Sequence, residues 1–374
     1  MSELYIGLMS GTSIDGIDAA LVDFSGASPR LIDFLYRPFP QELRLRIHTL
    51  SLPDEPVLLI DYGALDCKLG LLFAETVLEL LERTQIAANK IIAIGSHGQT
   101  VFHDPNPAYG FSLQIGDPNR IAQITGITTI ADFRRRDMAV QGQGAPLVPA
   151  FHQAVFADQS QKRTVVNIGG IANITVLADI ETIGFDTGPG NTFMDQWCLQ
   201  HRNLAYDPNG DWAASGQVHD DLLAALKDDE YLRLPPPKST GKEYFSPAWL
   251  QMKLSFFPGL SPEDVQATLC RFTAESIAEA IKHYAPHTTQ TLVCGGGAHN
   301  RQLLKDLQEN LNHPLMSTAE FGIHPDHVEA CAFAWLARQT INNRPGNFCS
   351  VTGARQTVVL GGIYPSMQFF SGRE

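Results

Sequence analysis

The sequence predicts an α/β protein built as two lobes around a cleft, on three observations. Short apolar runs of strand character alternate along the chain with longer segments of helical periodicity. A strand, a turn of glycines and small polar residues, and a second strand occur near residue 10 and again near residue 170. That recurrence points to an internal duplication in which each copy opens its own domain. The length of 374 residues corresponds to roughly two to two and a half domains.

The elements follow in order. Residues 5–8 are apolar, 9–16 form a polar turn, and 17–24 resume as a strand, so the chain opens on a β-hairpin. Leu65, Leu69, Leu72, Val77, Leu80 and Leu81 give residues 58–84 a helical stripe. Residues 91–94 read as a short buried strand that ends in the glycine loop Gly95-Ser96-His97-Gly98-Gln99-Thr100. Asp132-Phe133-Arg134-Arg135-Arg136-Asp137 follows another strand and reads as extended. The second hairpin is 165–168, Gly169-Gly170 and 174–177. A strand from 183 then enters Gly188-Pro189-Gly190, a helix starts near Phe193, and the Pro-rich stretch 232–244 reads as mobile. Ser261-Pro262-Glu263-Asp264 is a helix start, with a capping serine, Pro at the first position and acids in the first turn. Val265, Leu269, Phe272, Ile277 and Ile281 carry that helix to residue 282. Strand 291–294 closes on Gly295-Gly296-Gly297, a helix begins near Asn300, residues 325–339 are helical, and 358–360 form a last short strand.

Composition excludes several functions. With 44% hydrophobic and 18% charged residues the chain is globular rather than disordered. A formal net charge of −13 opposes a broad nucleic-acid or anionic-membrane surface. No apolar run approaches the roughly 18 residues of a membrane span. The segment 1–5 runs directly into a strand without a basic leader, and the six cysteines form no C-x-x-C pair. A reduced, cytoplasmic protein is expected. P-loop, G-x-G-x-x-G, H-E-x-x-H and G-x-S-x-G patterns are absent, which counts against P-loop NTPases, Rossmann dehydrogenases, zincins and serine hydrolases.

Three glycine-rich turns remain, each closing a strand. Ser10-Gly11-Thr12-Ser13-Ile14-Asp15-Gly16 can direct successive backbone N–H groups into an anion-binding concavity, with hydroxyls as extra donors and Asp15-Gly16 suited to a positive-φ turn. Asn167-Ile168-Gly169-Gly170-Ile171-Ala172-Asn173 repeats that logic, its glycines permitting close approach of a phosphate. Cys294-Gly295-Gly296-Gly297-Ala298-His299-Asn300 removes side-chain bulk where a flat ring could lie on the backbone. Plain hairpins and a tight strand-to-helix connection would use the same residues.

Two phosphate hairpins followed by a triple-glycine turn, in that order and spacing, resemble the actin, sugar-kinase and Hsp70 superfamily. More narrowly, GLMSGTSIDGIDAAL, SHGQT, ADFRRRDMA, GQGAPLVP, NIGGIANIT, FDTGPGN, PKSTGKEYF and CGGGAHN resemble anhydro-N-acetylmuramic acid kinases, from Gly7 to about Gly362. The resemblance implies an actin-like ATPase fold: two ribonuclease-H-like lobes with the nucleotide between them. Residues 1–140, completed by 340–374, would form one lobe and 141–340 the other. It implies ATP contacts from Gly11, Thr12, Ser13, Ile14, Asp15, Gly16, Ile17 and Asp18, from Gly169, Gly170 and Asn173, and from Gly295, Gly296 and Gly297. Mg²⁺ would sit near Asp15, directly or through water. The implied reaction opens 1,6-anhydro-N-acetylmuramic acid with water and phosphorylates its 6-oxygen, giving N-acetylmuramic acid 6-phosphate and ADP in cell-wall recycling. The partner is then a small anhydro amino sugar, with neither nucleic acid nor membrane, and a homodimer stays open. An ordinary hydroxyl sugar kinase, an exopolyphosphatase-like hydrolase and an ATP-driven switch share the implied fold.

Asp186, in Gly184-Phe185-Asp186-Thr187-Gly188, is expected to end its strand beside the second phosphate turn. An Asx-turn or helix-cap role is equally compatible with the local sequence; the resemblance makes it the catalytic base. For the sugar, His97 and Gln99 sit on the glycine loop. On an acidic chain the three consecutive arginines mark a local anion site, and within the resemblance a lactyl carboxylate is available to a bidentate arginine. Sides alternate on an extended strand, and Arg134 is the one chosen to face inward. Glu329 would either contact the sugar or stabilise the N-terminus of its own helix.

Overall fold

The first hairpin is β1 (Leu4–Ser10) and β2 (Gly16–Asp23), continued antiparallel by β3 (Arg30–Pro38). The computed structural model describes residues 2–11, 13–52, 56–105, 109–177, 181–241 and 243–366, and all counts refer to these. The chain divides into two units, one of Met1–Phe151 with His327–Glu374, the other of His152–Asp326, against the expected boundaries at 140 and 340.

In the first unit β4 (Ile91–Asp104) lies parallel to β1, β5 (Phe111–Ile115) pairs antiparallel with β4, and β6 (Thr129–Ala131) lies parallel to β4. The strand Gly362–Tyr364 closes the edge antiparallel to β6. The second unit holds β7 (Arg163–Ile168), β8 (Ile171–Val176) and β9 (Ile183–Pro189) as an antiparallel meander. Then β10 (Gln290–Cys294) runs parallel to β7 and β11 (Leu315–Ser317) parallel to β10. The spatial order is β6-β4-β1-β2-β3 in one unit and β11-β10-β7-β8-β9 in the other. With β5 and the edge strand Gly362–Tyr364 set aside, both read fifth-fourth-first-second-third, the ribonuclease-H-like arrangement, so the duplication inferred from two hairpins extends over both sheets.

All seven residues of β1 are buried, as expected of a strand covered on both faces. Leu4, Ile6 and Leu8 join Leu65, Leu69, Phe73 and Val77 of the helix Leu59–Thr84 in one core cluster. Burying such a side chain contributes about 1.5–3 kcal/mol. Residues of the opposite parity face the helix Val328–Ile341. There the sheet carries Gly7 and, beside it on β4, Gly95, and a Cβ at either would overlap a helix carbonyl, of Ala330 or Phe333 respectively. The helix backbone therefore rests directly on the sheet, which fixes where its first turn, including Glu329, comes to lie. In the second unit the helix Pro262–Tyr284 contributes Val265, Leu269, Phe272, Ile277 and Ile281 to a core with Val166, Ile168, Ile174 and Phe185. Its Ser261 hydroxyl accepts from the Asp264 amide at 3.2 Å, the cap its sequence announces. Among the described residues no helix is long and apolar enough to cross a membrane.

Five expectations need correction. The segment 95–100 is not a loop but the middle of the 14-residue β4; its glycines serve close packing and, at Gly98 with φ +73°, a local irregularity. Arg134 lies on a short helix, Phe133–Met138, entered through Asp132 in the left-handed region, rather than on extended chain. The last strand is Gly362–Tyr364, not 358–360. In the first turn positive φ falls on Ile14 (φ 54°), not on Asp15-Gly16. Finally, the stretch 232–244 contributes a buried anchor, Lys238, where a mobile segment was expected.

Candidate active site

The Gly169-Gly170 turn is bound from below by the loop after β9. The Gly190 and Asn191 amides donate to the Gly170 and Gly169 carbonyls, each at 2.8 Å, and the Thr192 hydroxyl donates to Gly170 O at 2.7 Å. Both carbonyls are thereby tied back into the protein, while a Cβ at Gly169 would meet its nearest neighbour only at 3.5 Å, so the outer face of the turn is open. Asn173 pairs with Asn167 on β7 and with Asp186 on β9, which carries the carboxylate to the same end of the sheet. Asp186 is mid-strand in β9, not at the strand end that its sequence suggested.

Residues 231–240 frame Asp186. Its amide donates to Lys238 O at 3.2 Å, its carbonyl accepts the Tyr231 hydroxyl at 2.8 Å, and its Oδ2 accepts the Thr240 amide at 3.0 Å. Lys238 is itself held, its ammonium donating to Tyr231 O at 3.1 Å and Leu232 O at 3.2 Å and lying over the Tyr231 ring at 4.7 Å. Burial pushes the Asp186 carboxyl up to about 7, against the opposing pull of the Thr240 amide and the Lys238 charge. A carboxylate poised there can take and release a proton at neutral pH.

The triple-glycine turn is less open than its sequence suggests. Gly295 has φ +80°, and a Cβ on it or on Gly297 would overlap Asn167 or Ile168 of β7. Only Gly296 faces space, its nearest would-be neighbour being Asn191 Nδ2 at 3.8 Å. Asn191 thus stands between this turn and Gly169.

In the other unit a Cβ on Gly11 would meet nothing within 4 Å. Its carbonyl accepts from the Ile14 amide at 3.2 Å and from Gln99 Nε2 at 3.1 Å, so this turn too has its carbonyl drawn inward. Gln99 is fully buried and also accepts the Ser10 hydroxyl at 2.6 Å, which makes it a brace of the turn. Ser13 and Asp15 are exposed, Asp18 half-buried and Ile17 buried in the core, while Thr12 lies outside the described residues. Asp15 and Asp18 both stand near Tyr36, whose phenol is pushed up by burial first and by their charges second. Among the described residues no three His, Cys, Asp or Glu side chains gather as a metal cluster.

The structure brings His97, Arg134 and Glu329 together in this same unit. His97 Nδ1 lies 2.9 Å from the Gly98 carbonyl, which assigns the proton to Nδ1 and makes Nε2 the acceptor. Arg134 donates to that nitrogen from Nε at 3.1 Å and Nη2 at 2.9 Å, and from Nη1 to Gly144 O at 2.7 Å. Burial, then the arginine charge, pushes the imidazole down to about 3, so it is neutral. Burial raises the Glu329 carboxyl while Arg134 opposes that rise. Arg135 instead pairs with Asp132, at 2.6 Å.

Sequence reasoning missed Asp137, Tyr231, Lys238 and Thr240. Asp137 is fully buried and accepts from the Gly144 amide at 2.8 Å, Asn347 at 2.7 Å and Thr352 at 2.8 Å, shaping the loop that receives Arg134. Nothing local marks Thr240, which meets Asp186 across 54 residues of chain.

A duplicated ribonuclease-H-like fold with an open glycine hairpin in each half defines a protein of the actin-like sugar-kinase class. Within that class, the chain belongs to the anhydro-N-acetylmuramic acid kinase family, whose sequence model matches residues 3–366. Proteins named anhydro-N-acetylmuramic acid kinase share 50% identity over 364 residues in Pasteurella multocida (strain Pm70), covering 96% of each chain. The Coxiella burnetii (strain RSA 493 / Nine Mile phase I) protein of that name is 50% identical over 372 residues, 98% of this chain and 99% of its own. That of Shewanella oneidensis (strain ATCC 700550 / JCM 31522 / CIP 106686 / LMG 19005 / NCIMB 14063 / MR-1) is 52% identical over 365 residues, 96% and 98% of the two chains.

Proposed function

We propose that this chain is an ATP-dependent kinase that opens 1,6-anhydro-N-acetylmuramic acid with water and phosphorylates the freed 6-oxygen. Asp186 takes a proton from water, and the water oxygen bonds to the anomeric carbon as the bond from that carbon to the 6-oxygen breaks. The electron pair left on the 6-oxygen attacks the γ-phosphorus of ATP, whose bond to the leaving ADP breaks in turn. The products are N-acetylmuramic acid 6-phosphate, ADP and one proton, which belong to cytoplasmic cell-wall recycling.

One observation carries this reading beyond the family name. The β8–β9 register sets a carboxyl that burial pushes up to about 7 at the same end of the sheet as an open diglycine turn. The Gly169-Gly170 backbone is assigned to phosphate, with Asn173 beside it, and Gly296 to the adenosine. Gly11 and Ser13 supply backbone donors on the first hairpin, with Thr12, Ile14, Gly16, Ile17 and Asp18 assigned to the same ATP contact. Asp15 is exposed, and Mg²⁺ characteristically takes one or two carboxylates together with phosphate oxygens and water, so this carboxylate fits the ion. When bound, the ion would neutralise charge developing on the phosphates. Arg134 and Glu329 are assigned to the sugar; His97 orients the arginine and Gln99 the Gly11 turn.

The test is ADP release over a panel of anhydro-N-acetylmuramic acid, N-acetylmuramic acid, N-acetylglucosamine and glucose, with products weighed by mass spectrometry. Turnover of the anhydro sugar to a product heavier by one water and one phosphoryl group supports the reading. Turnover of only the reducing sugars would make this an ordinary hydroxyl kinase, and phosphate release without sugar a hydrolase.

A further inference from the structure

Lys238 is a buried cation held by carbonyls and rings alone. Its ammonium donates to the Tyr231 and Leu232 carbonyls at 3.1 and 3.2 Å, and it lies over two rings, Tyr231 at 4.7 Å and Phe185 at 5.7 Å. Among the described residues no carboxylate stands within ion-pair distance of it. Lysines are seldom buried without such a partner, because the hydration lost by the charge is not fully returned by neutral groups. A neutral donor would tie the same carbonyls at less cost. The charge itself therefore calls for a use beyond holding the segment 231–240 together.

Asp186 supplies that use. Phe185, under the ammonium, precedes it on β9, and the Lys238 carbonyl accepts the Asp186 amide at 3.2 Å, so side chain and backbone both fix the lysine to this strand. A direct salt bridge would cap a carboxylate oxygen with N–H and hold the group far below neutrality, which makes a weak base. Here the N–H groups are spent on carbonyls, and only the charge reaches the carboxylate. Burial raises the Asp186 carboxyl to about 7; the Thr240 amide and the Lys238 charge oppose that rise, and Glu243 of the same loop adds to it. The influence is mutual, since burial lowers the Lys238 pKa and Asp186 pushes it back up. Tyr231, the remaining titratable neighbour, donates to the Asp186 carbonyl and not to its carboxylate. We propose that Lys238 is a positioning residue whose ammonium, tethered to two carbonyls, acts on the Asp186 carboxylate by its charge and leaves the oxygens free to meet the substrate. The proposal rests on the reading of Asp186 as the base.

The test measures kcat/KM for the anhydro sugar against pH, at saturating ATP, in Lys238→Met, Lys238→Gln and Lys238→Arg. Ionisation of ATP and of the sugar is common to all, so a difference in the acid limb belongs to the protein. Methionine removes the charge and the hydrogen bonds; glutamine removes the charge and keeps N–H donors for the carbonyls. Without the positive charge the carboxyl is harder to deprotonate, so both neutral variants should have the acid limb displaced upward by about one pH unit. Their kcat/KM should then fall about fivefold at pH 7 and return to within about twofold of the wild type at pH 9. Arginine keeps the charge and should keep the limb. A neutral variant that loses rate equally at every pH, or that keeps the wild-type limb, overturns the proposal, as does an arginine variant displaced like the neutral ones. Failure of all three variants to fold, read by circular dichroism, overturns it as well, since the lysine would then be a tie of the fold. Each of these results leaves the kinase reading standing, whereas a wild type inactive on the anhydro sugar removes both.

Discussion

Asn173 and Asp186 are direct cross-strand partners in the β8–β9 ladder, three and sixteen residues beyond Gly170 in the chain but at the same end of the sheet. A one-residue slip of β9 would turn every one of its side chains to the opposite face and bury the carboxylate in the core with Phe185. The position of this carboxylate is thus set by the hydrophobic pattern of the sheet.

Replacing Asp186 isolates the role proposed for it. Asp186→Asn retains an acceptor for the Thr240 amide but cannot take a proton. Turnover should fall by about 10³-fold or more, with circular dichroism and ATP affinity unchanged. Retention of more than about a tenth of the activity would transfer the role to another carboxylate, Glu329 first.

The same substitution should change how stability depends on pH. The Asp186 pKa rises on folding from 3.8 to about 7, so between those values the folded chain binds more protons here than the unfolded one. This residue therefore makes the wild type progressively less stable as pH rises through that window, and the effect is constant above it. Asparagine carries no such dependence. The melting temperature of Asp186→Asn minus that of the wild type should grow between pH 5 and pH 7 and level off by pH 8. A difference that shrinks over that range would mean that the carboxylate is stabilised by the fold.

Two neighbouring glycines should separate folding from binding. Gly297→Ala drives a methyl group into Ile168 and should destabilise the second unit by about 1–3 kcal/mol in urea denaturation. Gly296→Ala adds a methyl group whose nearest neighbour is 3.8 Å away, so stability should hold while the KM for ATP rises severalfold. Equal ATP affinity in wild type and Gly296→Ala would move the adenosine elsewhere.

What the sequence disclosed and withheld has physical causes. The hairpins and the helix Pro262–Tyr284 were legible because turn chemistry, capping and periodicity are local. β4 was cut short because Gly95 and Gly98 read as breakers, when at Gly95 the demand comes from the carbonyl of Phe333, more than 230 residues away. Arg134 lies with His97 and Glu329, on the helix Phe133–Met138 rather than on the extended chain that its sequence suggests. The stretch 232–244 reads as mobile for its prolines, although Lys238 and Thr240 bond to Asp186 from outside the sheet, a contact that no local pattern encodes.

Arg134→Lys tests the substrate cluster. The guanidinium reaches His97 and the Gly144 carbonyl at once through three nitrogens, and an ammonium cannot reproduce that fork. The KM for the anhydro sugar should rise by roughly tenfold with the KM for ATP unchanged. An effect on ATP alone would remove Arg134 from the sugar site.

The central claim is that water held by Asp186 attacks the sugar and not the nucleotide. Running the reaction in ¹⁸O-water, quenching before the anomeric oxygen can exchange, and locating the label by mass spectrometry tests it most directly. The account predicts one ¹⁸O on the anomeric carbon, formed with inversion, and none on phosphorus, since the original bridging oxygen becomes the ester oxygen. Label in the phosphoryl group would contradict it, because water would then have attacked ATP.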